Sequence, residues 1–421
     1  MDLSGLLRGM HDEPAFAQAC RAEEPEGQVV APDAAIPFLA AGMAAGRPAG
    51  RSGDRLVLAV TATTRGAEDL AAAVTSLLPG TSVAVMPAWE TLPHERLSPS
   101  SDTVGRRLAV LRRLAHPDPD DPVIGALRLV VAPIRALLQP MVVGLGDLVP
   151  VAVRAGQEFA PGDLASALVA SGYSPTDLVE RRGEFAVRGG IVDVFPPTEE
   201  HPIRLEFWGD EVEEARYFRV ADQRSLEVAP HGLWAPPCRE LLLGPEVRAR
   251  AAELGRRHPE LADMCDKLAE GIAVEGMEAL SPVLADGMET LVEAAARAGG
   301  DVVVLMCDPE LVRTRAHDLV ATSSEFLAAS WHNAAAGNVT PIDLGAAAYR
   351  SVEEVRDLAS ACGVRWWGVG PFGAADDAIV LPFAATRAYR GDGAALVSDL
   401  RAALAGGQRV VAVTAGVGSA Q

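Results

Sequence analysis

The stretch LVERRGEFAVRGGIVDVFPPTEEHPIRLEFWGDEVEEARYFRVADQRSL, residues 178–226, is a series of short β segments joined by tight turns. Gly189-Gly190 separates two segments by two residues, which is the loop length of a tight hairpin, and Gly209-Asp210 marks another turn. The pattern predicts a small, mainly antiparallel sheet. Its predicted strands are 184–188, 191–195, 203–208, 212–214 and 216–221.

One of these segments has an apolar face and a face that carries charged and aromatic residues. Because successive side chains of a strand point to opposite faces, Ile203, Leu205 and Phe207 are predicted to line the core. Arg204 and Trp208 then lie on the opposite face. A sheet that displays arginine and tryptophan outward is typical of a docking surface, since these residue types are enriched at protein–protein hot spots.

The segment 184–188 adds a second arginine to this outward face. Alternation predicts that Val187 faces inward and Arg188 outward. If the two segments are neighbours in the sheet, Arg188 shares one surface with Arg204 and Trp208. We therefore take these three residues as the candidate binding site.

Two interpretations of this surface remain open. In the first, an arginine donates two hydrogen bonds to a carboxylate of a partner in a bidentate pair. In the second, an arginine stacks on the tryptophan in a cation–π contact and serves no partner. Asp193 is interpreted as a satisfied hydrogen-bond acceptor or an edge residue. The second interpretation is favoured slightly by a nearby acidic run that would neutralise the arginines: Asp210, Glu211, Glu213 and Glu214.

The sequence on both sides of this block has the strand–helix–strand rhythm of a parallel α/β sheet. An apolar run at 56–60 precedes a helical pattern at 67–78 and a strand at 83–86, and 302–306 reads as a buried strand. The predicted fold class is α/β: a parallel-sheet domain with an inserted small α+β antiparallel domain, followed by a partial α/β domain with a helix at 394–405 and a strand at 409–413. The predicted ranges are 1–149 and 235–370 for the parallel-sheet domain, 150–234 for the insertion and 371–421 for the partial domain.

The loop at 61–66 lies where a phosphate-binding loop would lie in such a fold, yet it contains one glycine and no lysine. Lys267 is the single lysine of the chain, and no Gly-Lys-Ser or Gly-Lys-Thr occurs. A phosphate loop needs that lysine at the β- and γ-phosphates and the following hydroxyl on Mg²⁺. The sequence therefore excludes an ordinary P-loop ATPase and predicts a plain turn at the start of a helix. No residue is assigned to catalysis, to a cofactor or to a metal.

The net charge of −20 argues against broad nucleic-acid binding, because phosphate contacts need a basic face. The helix predicted at 104–115 buries an apolar stripe that includes Leu108. Its arginines are predicted to form a solvated basic face, with a nucleic-acid contact as the less favoured alternative: Arg106, Arg107, Arg112 and Arg113.

The five cysteines show no CxxC spacing, which indicates reduced, mostly buried thiols and neither a zinc site nor a disulfide framework. The N-terminus turns acidic before any apolar core of a signal peptide, and no apolar run reaches a membrane-spanning length. These features predict a cytoplasmic protein without a membrane partner.

Residues 87–114 and 183–226 closely resemble the corresponding stretches of the transcription-repair coupling factors. The segments 129–140 and 271–284 fit the same pattern, and the resemblance covers most of residues 1–370 and, more weakly, the remainder. The damage-recognition protein UvrB is also similar, because it shares this module. UvrB carries a working phosphate loop, however, and its absence here favours the coupling factors, whose N-terminal module has lost the ATPase motifs.

The resemblance implies a UvrB-like, degenerate helicase-type domain with an inserted domain that binds UvrA. The UvrA-contacting positions of the family match Arg188, Arg204 and Trp208. In the family, the domains that bind RNA polymerase and DNA and that use ATP and Mg²⁺ for translocation lie further along the chain. The resemblance thus implies an N-terminal fragment that keeps the recruitment function. Because a C-terminal domain masks the UvrA surface in the family, constitutive exposure is expected here.

Three functional interpretations follow. The first is a non-catalytic adaptor that recruits UvrA to stalled RNA polymerase in transcription-coupled nucleotide excision repair. The second is a UvrB-like ATP-dependent helicase with a diverged nucleotide site. The third is a fragment that folds and has no function alone. The absence of a Gly-Lys-Ser or Gly-Lys-Thr sequence favours the adaptor.

Overall fold

The computed structural model describes residues 3–46, 55–92, 97–118, 124–336, 345–373 and 377–411. The chain forms two compact units, Met1–Pro382 and Phe383–Gln421. The second unit contains the predicted helix near 394–405. Residues 409–411 are not in a strand, and the rest of the strand predicted at 409–413 lies outside the described residues.

The strands follow one another along the chain. In order they are β1 (Glu26–Val30), β2 (Arg55–Thr61), β3 (Val83–Val85), β4 (Leu129–Pro133), β5 (Met141–Val142), β6 (Val151–Val153), β7 (Ser174–Pro175), β8 (Glu184–Arg188), β9 (Ile191–Val194), β10 (Ile203–Trp208), β11 (Glu211–Phe218), β12 (Ser225–Val228), β13 (Leu233–Ala235), β14 (Met288–Glu289), β15 (Asp301–Cys307), β16 (Arg365–Gly370) and β17 (Ile379–Val380).

The α-helices lie between and after these strands. In chain order they are α1 (Ser4–Met10), α2 (Pro14–Arg21), α3 (Ile36–Ala45), α4 (Thr64–Thr75), α5 (Ser101–Ala115), α6 (Ile134–Leu138), α7 (Pro161–Ala170), α8 (Pro245–Arg257), α9 (Ala262–Glu270), α10 (Ser281–Leu284), α11 (Leu291–Arg297), α12 (Pro309–Ala336), α13 (Val352–Ala361) and α14 (Gly393–Ala405).

The main sheet draws strands from both ends of the first unit. Its order is β17-β1-β16-β15-β2-β4-β3, and the neighbouring strands are parallel. Strand β15, which follows the inserted block, pairs with β2, which precedes it. The sequence before and after the insertion therefore builds one α/β domain, which confirms the predicted fold class.

The two central strands of this sheet are buried along their whole length. Every residue of β2 and β15 is buried, which is why they read as near-continuous apolar runs and not as alternating ones. Their two polar starting residues form an ion pair: Arg55 Nε lies 2.7 Å from Asp301 Oδ2, and Arg365 pairs with the other carboxylate oxygen. The paired charges let polar groups occupy the end of a buried sheet.

The second unit begins later than the boundary predicted at residue 371. Strand β17 pairs in parallel with β1, so it is an edge strand of the main sheet. The chain up to Pro382 consequently belongs to the first unit.

The inserted block forms a six-stranded sheet of order β12-β11-β10-β9-β8-β7. Its pairs are antiparallel except β7 with β8, and the two predicted hairpin turns connect β8 to β9 and β10 to β11. The segments predicted as separate strands at 212–214 and 216–221 are one strand, β11. The two ends of the block meet in the pair β6–β13, where Val151 lies opposite Ala235.

Helix α5 carries the inserted block on its first two turns. A Cβ atom added at Gly105 would lie 2.3 Å from Pro197 Cβ, so the two segments touch backbone to ring. Arg182 of the block also lies 3.4 Å from Asp102 of the helix. The close approach explains why the helix has glycine, a poor helix former, at this position.

The prediction of a solvated basic face on α5 is wrong for Arg107. This side chain is fully buried, and its Nε donates to Glu240 Oε1 at 2.5 Å. Arg113 is also partly buried, and its Nε donates to the Gly125 carbonyl at 2.9 Å. Arg107 faces protein because the segment after the insertion supplies Glu240, and Arg113 because it donates to the carbonyls of Gly125 and Thr81.

The five cysteines have free thiols, and four of them are buried, as predicted; Cys362 is exposed. No helix among the described residues is long and apolar enough to cross a membrane. Within the same residues, no group of three or more histidine, cysteine, aspartate or glutamate side chains is arranged to hold a metal ion.

Candidate functional site

The candidate site lies on the face of the inserted sheet that is turned away from its main core. Strand β9 separates β8 from β10, so the two predicted arginine strands are not direct neighbours. The register places Ala186, Asp193 and Arg204 in one row across the three strands. Directly opposed residues of antiparallel strands share a face, so Asp193 lies on the arginine face.

Asp193 joins the two predicted arginines. Its carboxylate is fully buried and accepts two hydrogen bonds from Arg204, Nε to Oδ1 at 2.7 Å and Nη2 to Oδ2 at 2.9 Å. Arg188 Nη2 donates to the same Oδ2 at 2.5 Å. The hydrogen bonds to Asp193 raise the pKa of Arg204 above its ordinary value. A buried carboxylate is tolerated here because three charge-assisted hydrogen bonds satisfy it.

Arg204 is mostly covered, and an aromatic ring lies beneath it. Its guanidinium carbon is 4.7 Å from the centroid of the Phe218 ring, and Nη1 donates to the Gln223 carbonyl at 3.2 Å. Phe218 belongs to a small second core on this face, together with Val179 and Phe195. The part of the arginine face around Arg204 is therefore packed against this second core and is not an open surface.

Arg188 and Trp208 remain open to solvent at the hairpin end of the sheet. The side chain of Arg188 is 44% exposed, and that of Val187 is also open, although Val187 lies on the predicted core face opposite the buried Val192. Trp208 is 80% exposed and lies opposite Glu211 at the start of β11. The ends of β8 and β10 project beyond the main core of the insertion, so alternation does not bury every second residue there.

The structure corrects the second interpretation of the surface. The cation–π partner of Arg204 is Phe218 and not Trp208, so the stacking interpretation named the wrong ring. The nearby acidic run acts on a different residue: Glu214 Oε2 lies 2.8 Å from Arg216 Nε. The two candidate arginines are instead neutralised by Asp193, which confirms its interpretation as a hydrogen-bond acceptor.

The sequence analysis did not place Asp193 between the two arginines, although the alternation of strand β9 indicates its face. Val192 and Val194 are buried in the main core of the insertion. Alternation therefore places Asp193 on the opposite face, the one that carries the arginines. Phe218 follows from the same rule, because Arg216 lies opposite Arg204 and alternation along β11 puts Phe218 on the same face as Arg216.

The loop at 61–66 forms the predicted turn at the start of a helix. Thr63 caps α4 by accepting a hydrogen bond from the Gly66 amide at 3.1 Å, and Thr61 Oγ1 donates to the Thr63 carbonyl at 2.9 Å. Both hydroxyls are thus used inside the turn, as expected of an ordinary N-cap.

The UvrB interaction domain family matches residues 151–234, the range of the inserted sheet and its flanking strands β6 and β13. The transcription-repair-coupling factors of Mycobacterium tuberculosis and Mycobacterium bovis are each 45% identical over 99% of this chain and 34% of their own length. The UvrABC system protein B of Gemmatimonas aurantiaca is 44% identical over 17% of this chain and 11% of its own length.

The fold and the site thus define a parallel α/β domain that carries an inserted UvrB interaction domain. Over nearly its whole length, the chain matches the N-terminal module of the transcription-repair coupling factors. It spans about a third of the length of those relatives.

Proposed function

We propose that this chain is a non-catalytic adaptor that binds UvrA through residues 150–234 in transcription-coupled nucleotide excision repair. The observation that carries the proposal is the match of the UvrB interaction domain to residues 151–234. The predicted contact residues are Arg188, Arg204 and Trp208; Arg204 is only 14% exposed and would support the other two from inside the sheet. Of these, Trp208 is the exposed anchor and Arg188 the accessible cation.

The chemistry of this surface suits a protein partner. An exposed tryptophan gains much from burial in an apolar pocket, and an accessible arginine can donate hydrogen bonds to a carboxylate or a carbonyl. Exposed acidic residues at the hairpin tip, Asp210 and Glu211, would favour a basic rim on the partner. The net charge of −20 supports a basic protein surface over nucleic acid as the ligand.

The remaining activities would belong to other parts of the parent protein. The relatives are transcription-repair-coupling factors, and this chain covers 34% of their length. We expect contacts with RNA polymerase and DNA, and ATP- and Mg²⁺-dependent translocation, to require those other parts. The adaptor would act in the cytoplasm, where the parent would work at stalled RNA polymerase.

A second candidate is a UvrB-like helicase with a diverged nucleotide site. It is favoured by the similarity to UvrABC system protein B over 17% of the chain. Against it stand the single lysine, Lys267, and the Thr63-capped turn in place of a phosphate loop. Titration with ATP and Mg²⁺, with and without single-stranded DNA, separates the two: hydrolysis above background would favour the helicase.

The test of the adaptor is calorimetric titration of this chain with UvrA from the same organism. Trp208→Ala and Arg188→Ala should each weaken binding by about 2 kcal/mol, or roughly 30-fold in Kd, if they are hot-spot residues. Phe372→Ala is the matched control for the tryptophan, because Phe372 is also 80% exposed but lies outside the inserted domain. Arg250→Ala, which breaks a surface pair with Asp286, is the control for the arginine.

Loss of binding in the two site variants, with both controls unchanged and all variants folded, would support the adaptor. Equal binding by Trp208→Ala and the wild type would place the contact elsewhere. If the wild type does not bind UvrA at all, the proposed function is wrong.

A further inference from the structure

The buried carboxylate of Asp193 lies between an arginine that is covered and an arginine that is accessible. Arg204 uses Nε, Nη1 and Nη2 within the chain and is only 14% exposed. Arg188 uses Nη2 on Asp193, and its Nε and Nη1 make no hydrogen bond among the described residues. The two arginines therefore differ in what they can offer to a partner.

We propose that Asp193 is the positioning residue of the docking surface, holding Arg188 in place so that its remaining N–H groups receive a carboxylate or carbonyl oxygen of UvrA. This inference rests on the proposed function and deepens it. Arg204 supports Asp193 from the covered side of the site. It fixes the carboxylate with two hydrogen bonds and is itself held over the Phe218 ring.

The physical gain is preorganisation. An arginine side chain has many rotamers, and a partner that immobilises a free one must overcome that loss of conformational entropy. Asp193 is rigid because it is fully buried on β9 and bound by Arg204 on β10. Its hydrogen bond to Arg188 restricts that side chain before the partner arrives, which should improve Kd by roughly 2- to 10-fold.

The negative charge of Asp193 is essential to this arrangement. Asparagine has nearly the same shape, but its amide nitrogen is a donor and would face the N–H groups of an arginine. Asp193→Asn should therefore release Arg188, while the packing of Val192 and Val194 into the core is retained.

The test is a double-mutant cycle of UvrA binding with wild type, Asp193→Asn, Arg188→Ala and the double variant, each with its unfolding measured in urea. Asp193→Asn should weaken binding by about 2- to 10-fold. In the Arg188→Ala background it should change Kd by less than about 2-fold, because the group it positions is gone. Its effect on unfolding should be similar in both backgrounds.

A purely structural Asp193 would instead weaken binding equally in both backgrounds, or would lower only the fraction of active protein, and either result overturns the inference. Binding by Asp193→Asn equal to that of the wild type also overturns it and leaves the adaptor standing. If the wild type does not bind UvrA, the proposed function fails and this inference with it. If Asp193→Asn does not fold, Asp193→Glu, which keeps the charge and displaces the carboxylate by one methylene, takes its place in the cycle with the same outcomes.

Discussion

Arg107 of α5 and Glu240, which follows the inserted domain, form a fully buried ion pair with Nε 2.5 Å from Oε1. Trp89 Nε1 donates to the same oxygen at 2.9 Å, and Arg107 Nη1 donates to the Pro87 carbonyl at 2.8 Å. The pair therefore ties the helix that supports the insertion to the chain that leaves it.

Replacing Arg107 by methionine should destabilise the protein by about 3–5 kcal/mol, because Glu240 would be left buried without its cation. Adding Glu240→Gln removes that charge and should recover part of the loss. Urea unfolding of the full chain measures both, with the surface variant Arg250→Ala as a control expected to change stability by about 1 kcal/mol or less. A loss below about 1 kcal/mol in Arg107→Met would contradict the role of the pair.

Gly105→Ala should also be destabilising, although alanine is the better helix former. The helix preference would gain about 1 kcal/mol. The new Cβ, however, would lie 2.3 and 2.4 Å from Pro197 Cβ and Cγ, and overpacking of this kind costs about 1–3 kcal/mol. We expect a net loss that Pro197→Gly, which removes the clashing Cβ, relieves in the double variant, measured by thermal unfolding. Gly9→Ala in α1, where a Cβ meets nothing within 4 Å, is the control and should not be destabilising.

The two site arginines should differ in their effect on stability. Arg204→Ala removes two of the three hydrogen bonds to buried Asp193 and should cost about 3 kcal/mol. Arg188→Ala should cost about 1 kcal/mol or less, because its side chain is 44% exposed and water replaces its contact. Urea unfolding of the two variants side by side checks this order. Equal losses would show that the two arginines are not distinguished in this way.

Glu199 should make stability depend on pH in the acid range. Burial raises the pKa of this carboxyl above its ordinary value of 4.5, against the lowering effects of the Tyr217 hydroxyl and His231. The folded state therefore holds a proton more tightly than the unfolded state does. The stability contribution is complete below about pH 4.5 and is lost as pH rises through the raised pKa.

Glu199→Gln removes this titration and can still accept the hydrogen bond that the Tyr217 hydroxyl donates at 3.2 Å. It should raise Tm at pH 7, on the order of 2 °C, and leave Tm near pH 4 unchanged. The exposed neighbour Glu200 supplies the control variant, Glu200→Gln. The same gain at both pH values would point to packing and not to the ionisation of Glu199.

Much of the fold follows from local pattern. The buried strands β2 and β15 are apolar throughout, and the Gly189-Gly190 turn specifies a two-residue hairpin, so both were predictable from neighbouring residues alone. The burial of the arginines was harder to predict. The local pattern predicts that Arg107 is a surface residue of its helix. In the structure it is buried in an ion pair with Glu240, which lies far along the chain.

The sequence by itself determined which residues lie on each face of the inserted sheet, because side-chain direction in a strand alternates with a period of two. It also excluded a phosphate loop, since the required lysine is missing. Only the tertiary structure decided which of those residues are accessible. Strand β9 brings Asp193 between Arg188 and Arg204. The Phe218 ring covers one face of the Arg204 guanidinium, while the projecting hairpin keeps Trp208 in solvent. Alternation cannot supply this information, because burial depends on which segments distant in the sequence pack together in the fold.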